Sequence, residues 1–429
     1  MFRTVLGGAE REAGMSASDT ARSQATLRPA EGLSPAGRAP ARRFYLDHNA
    51  TSPLRPEARA VLLVLLDAPG NASSVHAEGR AARARLEAAR SAVARLVGAP
   101  SRGVVFTSGA TEAAALALSP ALERDGRACR CDVLLVSAVE HPAVLRGHRF
   151  PADAVEVLPV DGAGRLDLCA LDDALARHSA AGRRVLLALM AANNETGVVQ
   201  PVAEAAARVR AHDGVVFCDA VQAAGRMALD IGALGVDFLA LSGHKLGGPQ
   251  GAGALVAAGA DHRPAPLLAG GGQERGLRAG TQNVAAIAGF GAAAAAAGAN
   301  LATEAARLVS LRDALEREVL ARVAGAQVIA AEAERLPNTA MLSFAGLRAE
   351  TLVIALDLAH VSVSAGAACS SGKVGASHVL AAMGLPAARA EGAIRLSLGW
   401  ASTQEDVDQA VAALERVVPQ LRGRASRAA

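Results

Sequence analysis

The segment Val236 to Lys245, with the sequence Val-Asp-Phe-Leu-Ala-Leu-Ser-Gly-His-Lys, is a short apolar run that ends in polar residues. Residues 214–219, Gly-Val-Val-Phe-Cys-Asp, have the same form. Such runs alternate with amphipathic stretches, for example 78–97 and 201–212, and this alternation is typical of βαβ units. The sequence therefore predicts an α/β fold with a mostly parallel sheet. The expected strands are 103–107, 132–137, 184–190, 214–218, 236–241 and 253–257.

Polar residues follow several of these strands at the point where each strand ends. They are Thr107-Ser108-Gly109, Asn193-Asn194, Asp219, and Ser242 to Lys245. Sheets of this kind bind ligands at the carboxyl ends of their strands, so we expect these residues to surround one site. Asp219 and Lys245 are separated by one βαβ step, which predicts that they lie at neighbouring strand ends.

The chain is predicted to contain a leader, two domains and a tail. Residues 1–42 are rich in Ala, Arg, Ser, Gly and Pro without an apolar period, which indicates a disordered leader. A helical stretch from about 284 to 324 leaves the first domain, and strands and helices mix after it, as in a smaller α+β domain. Strands are expected there at 340–344, 361–364 and 393–398, and helices at 350–359, 376–383 and 403–420. We assign 56–298 to the large domain, 43–55 with 299–421 to the small domain, and 422–429 to the tail.

Composition and charge argue against several classes of function. The net charge is only +3 and no basic stretch is interleaved with aromatic residues, so direct nucleic-acid binding is not expected. The longest apolar runs, such as 285–298, are shorter than the roughly 20 residues that a membrane span needs. The five cysteines form an odd, scattered set, which predicts reduced thiols, no disulfides and a cytoplasmic location.

Lysine is nearly absent from this arginine-rich chain. Only Lys245 and Lys373 are lysines among the 44 basic residues. An amine can lose its proton and attack a carbonyl group, whereas a guanidinium stays protonated and cannot. A lysine that persists at a strand end is therefore a candidate for chemistry, with chance survival as the alternative interpretation.

Three further groups at strand ends have both a catalytic and a structural interpretation. The turn Thr107 to Glu112 leads into a helix whose N–H groups could hold a phosphate, or it could simply cap that helix. Asp219 could pair with a protonated pyridine nitrogen, or it could cap the next helix. His141 could stack on a cofactor ring and relay protons, or it could begin a helix without a catalytic role.

Cys369 and Arg395 are candidates in the C-terminal region. Cys369 lies in a run of small residues from Ser364 to Lys373, which predicts an exposed, mobile cysteine whose thiolate Lys373 favours. Arg395 is a charge inside an apolar strand and could bind a substrate carboxylate or form an internal salt bridge. The pair Cys129 and Cys131 lacks further ligands, so no metal site is expected there.

Taken together, these strings resemble the cysteine desulfurases of the class V aminotransferase group, in particular the branch of nitrogen-fixation and housekeeping iron–sulfur enzymes. The resemblance extends from Phe44 to about Leu421. It rests on Tyr45-Leu46-Asp47 with Ala50-Thr51, Asn71 with Ser73-Ser74 and His76, Thr-Ser-Gly-Ala-Thr-Glu at 107–112, Glu-His-Pro-Ala-Val-Leu at 140–145, Asn-Asn-Glu-Thr-Gly-Val-Val-Gln at 193–200, Asp-Ala-Val-Gln at 219–222, Ser-Gly-His-Lys at 242–245, Gly-Gly-Gly-Gln-Glu-Arg-Gly-Leu-Arg-Ala-Gly-Thr at 270–281 and Ala-Gly-Ala-Ala-Cys-Ser-Ser-Gly-Lys at 365–373. Two positions depart from the family pattern, since Ala113 to Ala115 replace a usual Asn and Ala72 replaces a usual Pro.

The resemblance implies a fold-type I pyridoxal-phosphate (PLP) transferase and a role for each matching residue. Lys245 binds the cofactor covalently, His141 stacks on its ring and Cys369 takes the substrate's sulfur as a persulfide. Asp219 pairs with the pyridine nitrogen, and Asn194 and Gln222 contact the ring oxygen. The phosphate-binding residues are Ala110, Thr111, Ser242, His244 and, across a dimer interface, Thr281. The carboxylate of L-cysteine is assigned to Asn71 and Arg395.

The resemblance also implies partners. They are L-cysteine, a second copy of the chain in a homodimer, and a sulfur-acceptor or scaffold protein with which Cys369 shares a transient 2Fe–2S cluster. The expected products are L-alanine and sulfur for iron–sulfur cluster, nitrogenase cofactor or thio-cofactor synthesis. Selenocysteine lyase or aminotransferase activity on the same scaffold is the nearest alternative, and a non-catalytic scaffold protein is a second.

Overall fold

The computed structural model describes residues 42–124, 126–259, 262–366 and 377–428, and the side chains only as far as Gly423. Residues Arg43–Ala429 form one compact unit by their internal contacts. The predicted leader lies outside the described residues except for Arg42. The division of the remainder into a large and a small domain stays a prediction.

The strands and helices follow one another along the chain in an alternating order. The strands are β1 (Phe44–Tyr45), β2 (Val104–Thr107), β3 (Ala121–Arg124), β4 (Arg127–Arg130), β5 (Val133–Ser137), β6 (Val155–Leu158), β7 (Val185–Ala188), β8 (Val215–Asp219), β9 (Phe238–Ser242), β10 (Gly253–Ala257), β11 (Arg263–Pro264), β12 (Ala326–Val328), β13 (Thr339–Phe344), β14 (Val361–Ser362), β15 (Ser364–Ala365) and β16 (Ala393–Ser397). The helices are α1 (Pro56–Leu66), α2 (Ala77–Leu96), α3 (Ala110–Ala117), α4 (Pro142–Leu145), α5 (Leu168–Ala180), α6 (Val202–Ala211), α7 (Ile231–Leu234), α8 (Val284–Ala299), α9 (Leu301–Arg322), α10 (Ala349–Leu358), α11 (His378–Ala382), α12 (Ala387–Ala390) and α13 (Gln404–Ala428).

A seven-stranded sheet forms the centre of the fold, with the order β2-β10-β9-β8-β7-β5-β6. All neighbours from β9 to β6 are parallel, and β10 is antiparallel to both β9 and β2. The predicted α/β fold with a mostly parallel sheet is therefore confirmed. The expected neighbourhood of Asp219 and Lys245 follows from the pairing of β8 with β9, which sets Asp219 opposite Ala240.

Alternate residues of this sheet enter two different hydrophobic clusters, as the two-residue period of a strand requires. Phe106, Leu135 and Leu239 pack into the cluster that includes α2 and α8. Phe217 and Phe238 pack into the cluster on α3. Helices thus cover both faces of the sheet, which explains why its strands are apolar throughout and do not alternate with polar residues.

The C-terminal region contains an antiparallel sheet with the order β12-β13-β16-β15. Its apolar face packs with α9, α10 and α13 in a third cluster, which also includes Leu46 from the N-terminal stretch. Strand β1 pairs in parallel with β14, so residues 44–45 are tied to residues 361–362. This pairing brings the stretch after β1 beside strand β16, where Asp47 bridges to Ser397.

The helical stretch predicted at 284–324 is two helices that meet at a bend of 75°. Asn300 lies at the break, and both its backbone N–H and its side-chain amide donate to the carbonyl of Ala296. Among the described residues no single helix meets the length and hydropathy of a membrane span, although this bent pair meets them jointly.

Candidate active site

A cavity of about 460 Å³ opens at the carboxyl ends of the central strands. The elements around it are the end of β8, the end of β9, the N-terminus of α3 and the stretch after β1. Its lining residues are Asn49, Ala50, Ser108, Gly109, Ala110, Thr111, His141, Ala143, Met190, Ala192, Asn194, Asp219, Val221, Gln222, Ser242, His244, Lys245, Gln250, Gly251 and Arg395. The structure thus brings together ten of the residues to which the sequence assigned a role.

Lys245 follows β9 in a short 3₁₀ turn. Its Nζ donates to the carbonyl oxygens of Asn49 and Ala50, both at 2.7 Å. These acceptors belong to the stretch after β1, which the pairing of β1 with β14 fixes in place. The amine is therefore held at the cavity wall by two backbone groups.

Asp219 ends β8, and its Oδ1 accepts a hydrogen bond from the N–H of Val221 at 3.0 Å. Burial raises the pKa of Asp219, while the hydrogen bond from Val221 and the proximity of His141 and Lys245 oppose this rise. A cation placed in the cavity against Asp219 would stabilise its carboxylate form in the same manner. The carboxyl group thus suits the recognition of a protonated ring nitrogen.

His141 begins α4, where its Nδ1 accepts a hydrogen bond from the N–H of Ala143 at 3.1 Å. Because Nδ1 is an acceptor, the neutral imidazole carries its proton on Nε2. Burial lowers the pKa of His141, with a further lowering by Lys245 and an opposing effect of Asp219. The ring is thereby held in one tautomer at the cavity, and His141 caps a helix and lines the site at the same time, while its catalytic role stays a prediction.

The turn before α3 has the geometry of an anion cradle. The first N–H groups of a helix have no intrahelical acceptor, and Ala110 and Thr111 bring them to the cavity. Gly253 of β10 lies so close to this turn that an added Cβ would be 2.6 Å from Cα of Gly109. Glu112, which could repel an anion, accepts from the N–H of Ser108 and is paired with Arg278 at 2.9 Å.

Ser242 and His244 complete the same side of the cavity. The Nδ1 of His244 lies 3.1 Å from Oγ1 of Thr51. Burial and the charge of Lys245 lower the pKa of His244 to about 4, so the ring is neutral at pH 7. A neutral imidazole can donate one hydrogen bond to a bound anion without adding a charge.

Arg395 of β16 is almost fully buried and forms an ion pair with Asp47. Its Nη1 donates to the carbonyl of Asn194 at 2.8 Å. Its Nε has no hydrogen-bond partner within the described parts of the chain. The internal salt bridge proposed from the sequence therefore exists, and the guanidinium still lines the cavity with unused donor capacity.

Several contributing residues were not recognised in the sequence. Asn49 and Ala50 act through backbone carbonyls, for which the residue type gives no signal. Arg226 is buried and donates to Oε1 of Gln222, so the amide nitrogen of Gln222 points instead to the carbonyl of Asn49. The signal available in the sequence for the contact with Gln222 was an arginine, Arg226, four positions later in the chain.

Three predicted site residues are not placed at this cavity. Asn71 is exposed, and its Oδ1 accepts from the N–H of Ser73. Thr281 is also exposed, and neither residue is among the described residues that line the cavity of their own chain. Cys369 lies outside the described residues. In the described ranges, no group of three or more His, Cys, Asp and Glu residues could hold a metal ion.

Comparison with known proteins agrees with this geometry. The family model described as Aminotransferase class-V matches residues 44–410. A cysteine desulfurase from Cereibacter sphaeroides is 43% identical over 388 residues, which cover 89% of this chain and 97% of that protein. The chain belongs to the class V aminotransferase family, among its cysteine desulfurases.

Other relatives support the same family assignment. The cysteine desulfurase IscS of Dictyoglomus turgidum is 39% identical over 389 residues, covering 89% of this chain and 96% of that protein. A solved structure of a NifS-like protein from Rickettsia africae superimposes with a TM-score of 0.78 at 33% identity, covering 88% of this chain and 100% of that one. The family membership expected from the motifs is therefore confirmed.

Proposed function

We propose that this protein is a PLP-dependent cysteine desulfurase that converts L-cysteine to L-alanine and holds the sulfur as a persulfide on Cys369. The observation that carries the proposal is the convergence of Lys245, Asp219 and His141 on one cavity in a chain of this family. Asp219 and His141 each have an alternative structural interpretation and Lys245 has chance survival as its alternative, but their convergence on one cavity supports the chemical interpretation of all three.

The residues at the cavity fit PLP. The anion cradle at α3 suits the phosphate, Asp219 suits the pyridine nitrogen, and the Nζ of Lys245 is near enough to the cavity for covalent attachment. The amide of Gln222, oriented by Arg226, suits the ring oxygen. When bound, PLP supplies an electron sink that acidifies the α-carbon of an amino acid.

The protein's own groups would bind the substrate and move its protons. Arg395 would hold the carboxylate of L-cysteine through a charge-assisted hydrogen bond, with Asn194 beside it. Lys245 would serve as the base at the cavity that moves the α-proton. The backbone carbonyl of Asn194 accepts from Nη1 of Arg395 and so helps to orient the guanidinium, while the assignment of Asn71 to the same carboxylate stays a prediction.

Cys369 would act as the sulfur acceptor. Its thiolate attacks the sulfur of the bound cysteine, an S–S bond forms, and the C–S bond breaks. The electron pair remains with the substrate carbon, which is protonated and leaves as L-alanine. An aminotransferase on this scaffold would need no such thiol, so the fate of Cys369 separates the two activities.

A homodimer is part of the proposal. Helix α1 leaves Leu63, Val64 and Leu66 at least half exposed, and exposed apolar groups of this kind mark association surfaces. Thr281 is exposed and is not among the described residues that line the cavity of its own chain, as expected of a residue that serves the site of a second copy.

The sulfur would pass to an acceptor or scaffold protein in the cytoplasm. Passage of the sulfur can be tested by forming the persulfide from sulfur-labelled L-cysteine, mixing the protein with an iron–sulfur scaffold protein and following the label. We further propose that Cys369 shares a transient 2Fe–2S cluster with that scaffold protein.

The proposed activity has a direct test in two variants. Lys245→Ala should remove the visible absorption that PLP gives to the wild-type protein and abolish alanine formation. Cys369→Ser should bind PLP normally and form no protein persulfide. Sulfide release at the wild-type rate from Cys369→Ser would rule out the assignment of the sulfur to this cysteine.

A further inference from the structure

Glu195 is a buried carboxylate immediately after Asn194, with 3% of its surface exposed. Its backbone N–H donates to Oδ1 of Asn193 at 2.9 Å. Asn193 in turn donates from Nδ2 to the carbonyl of Val139 at 3.1 Å. The turn that carries Asn194 to the cavity therefore fixes the backbone of Glu195.

One oxygen of this carboxylate contacts residues on both sides of the segment 367–376. Ser377 donates from Oγ to Oε2 of Glu195 at 2.5 Å. Gly366 packs so closely against the same oxygen that an added Cβ would be 2.8 Å from Oε2. Gly366 and Ser377 are the described residues that border this segment, in which Cys369 lies.

The two borders are also tied to groups that flank the cavity. On the N-terminal side, Ser364 donates to Oδ2 of Asp47, the carboxylate that holds Arg395. On the C-terminal side, Nε2 of His378 lies 2.9 Å from the carbonyl of Glu140, the residue before His141. The side chain of Glu195 lies against Gly366 on the N-terminal side of the segment and accepts from Ser377 on its C-terminal side.

We infer that Glu195 is a positioning residue that sets both borders of the segment 367–376 against the turn bearing Asn194, and thereby the rate at which Cys369 receives sulfur. The inference rests on the proposed function, because it presupposes that Cys369 is the acceptor. It assigns Glu195 no contact with substrate or cofactor.

The chemistry of the carboxyl group is consistent with this role. Burial raises the pKa of Glu195 to about 7, against the hydrogen bond of Ser377 and the charge of Arg395. A carboxylate oxygen and a neutral carbonyl oxygen both accept from a serine hydroxyl, the former more strongly. Glu195→Gln therefore keeps an acceptor of the same shape, and Glu195→Ala removes the shared contact.

The test uses the PLP-loaded protein in single-turnover reactions with L-cysteine. Persulfide on Cys369 is trapped by alkylation and measured by mass spectrometry over time. For Glu195→Ala we expect the rate to fall on the order of 10- to 100-fold, since small displacements of reacting groups have effects of this size. The KM for L-cysteine and the PLP absorption should stay near the wild-type values.

The companion variants separate positioning from general destabilisation. Glu195→Gln should recover most of the rate. Glu316→Ala removes another buried glutamate, which pairs with Arg335 at 2.6 Å outside the site, and should leave the rate unchanged. Gly366→Ala, which pushes a methyl group against Oε2, should slow the reaction as Glu195→Ala does and provides the test if that variant does not fold.

Two results would overturn the inference, and a third concerns the proposed function alone. A wild-type rate in both Glu195→Ala and Gly366→Ala would show that the contact does not position Cys369. A loss in Glu195→Gln equal to that in Glu195→Ala would show that charge, and not the shared contact, matters. Failure of the wild-type protein to form any persulfide on Cys369 would instead refute the proposed function.

Discussion

Arg395 and Asp47 form an ion pair, with 2.8 Å between Nη2 and Oδ1, that links the C-terminal sheet to the stretch after β1. The second oxygen of Asp47 accepts from Ser364. Because Asp47 is held on both sides, the guanidinium has a fixed position at the cavity wall. The site thus contains a pre-oriented cation, as the proposed binding of a substrate carboxylate by Arg395 requires.

Loss of the ion pair that orients Arg395 should weaken the binding of L-cysteine. For Asp47→Ala we expect the KM for L-cysteine to rise about tenfold or more, since a buried arginine without its partner no longer holds its geometry. Asp47→Asn keeps an oxygen acceptor and should show a smaller rise. Steady-state measurement of alanine formation gives both values, and an unchanged KM in Asp47→Ala would contradict this role.

The anion cradle depends on the close approach of two backbones at Gly253 and Gly109. Gly253→Ala places a methyl group 2.6 Å from Cα of Gly109 and must displace the turn before α3. We expect the Kd for PLP to rise on the order of tenfold, measured by absorbance titration of the apoprotein. Gly162→Ala, where an added Cβ meets nothing within 4 Å, is the matched control and should bind PLP as the wild type does.

A pH effect on stability should arise at His48, which is buried between Ser52 and Ser402. Burial, together with the charges of Arg226, Arg307 and Arg55, lowers its pKa to about 3 from the ordinary 6.5. Between these values the unfolded chain binds the proton and the folded protein does not. The contribution of this group to stability is therefore complete above pH 6.5 and is lost as the pH falls toward 3.

The size of this effect can be isolated by comparison with His48→Gln. Between pH 6.5 and pH 3, the free energy of unfolding of the wild type should fall by up to about 1.4 kcal/mol more for each unit decrease in pH than that of the variant. Urea denaturation at a series of pH values measures the difference. Parallel pH profiles for the two proteins would refute the predicted depression of the pKa.

The proposed homodimer leads to a prediction about α1. Leu66→Glu introduces a charge at a position that is 70% exposed in the single chain, and it should raise the dimer dissociation constant at least about tenfold. Leu358→Glu, at a position 78% exposed on α10, is the matched control and should leave the dimer intact. Sedimentation velocity distinguishes these results, and a monomeric wild-type protein would contradict the proposal itself.

The sequence predicted the central sheet well because its strands are apolar on both faces and end in polar residues. Strands β5, β7, β8 and β9 all lie within two residues of their expected bounds. The edge strand β6 and the small sheet of β11, β3 and β4 were missed, since their short strands are partly exposed and give no continuous apolar run. The break at Asn300 was missed because the residues on both sides of it are mostly helix-forming types, so the composition predicts one continuous helix.

Distinctive side chains at strand ends were predictable from the sequence, whereas backbone contacts and long-range side-chain partners were not. Lys245 was distinguished by composition and its strand end, and Asp219 by the same position in the next strand. The carbonyls of Asn49 and Ala50 that hold Lys245 come from nearly 200 residues earlier in the chain. Long-range contacts bring them there, namely the pairing of β1 with β14 and the hydrogen bond from the N–H of Ser52 to the carbonyl of His244. The partner of Arg395 was likewise invisible, because Asp47 reaches it through that same pairing.

The most direct test of the central claim is mass spectrometry of the PLP-loaded wild-type protein after addition of L-cysteine. The peptide containing Cys369 should gain one sulfur atom for each alanine released in the first turnover. Lys245→Ala should show neither product, and Cys369→Ser should show no sulfur on the protein. Alanine formation without any sulfur on Cys369, or sulfur found on another cysteine in its place, would contradict the account.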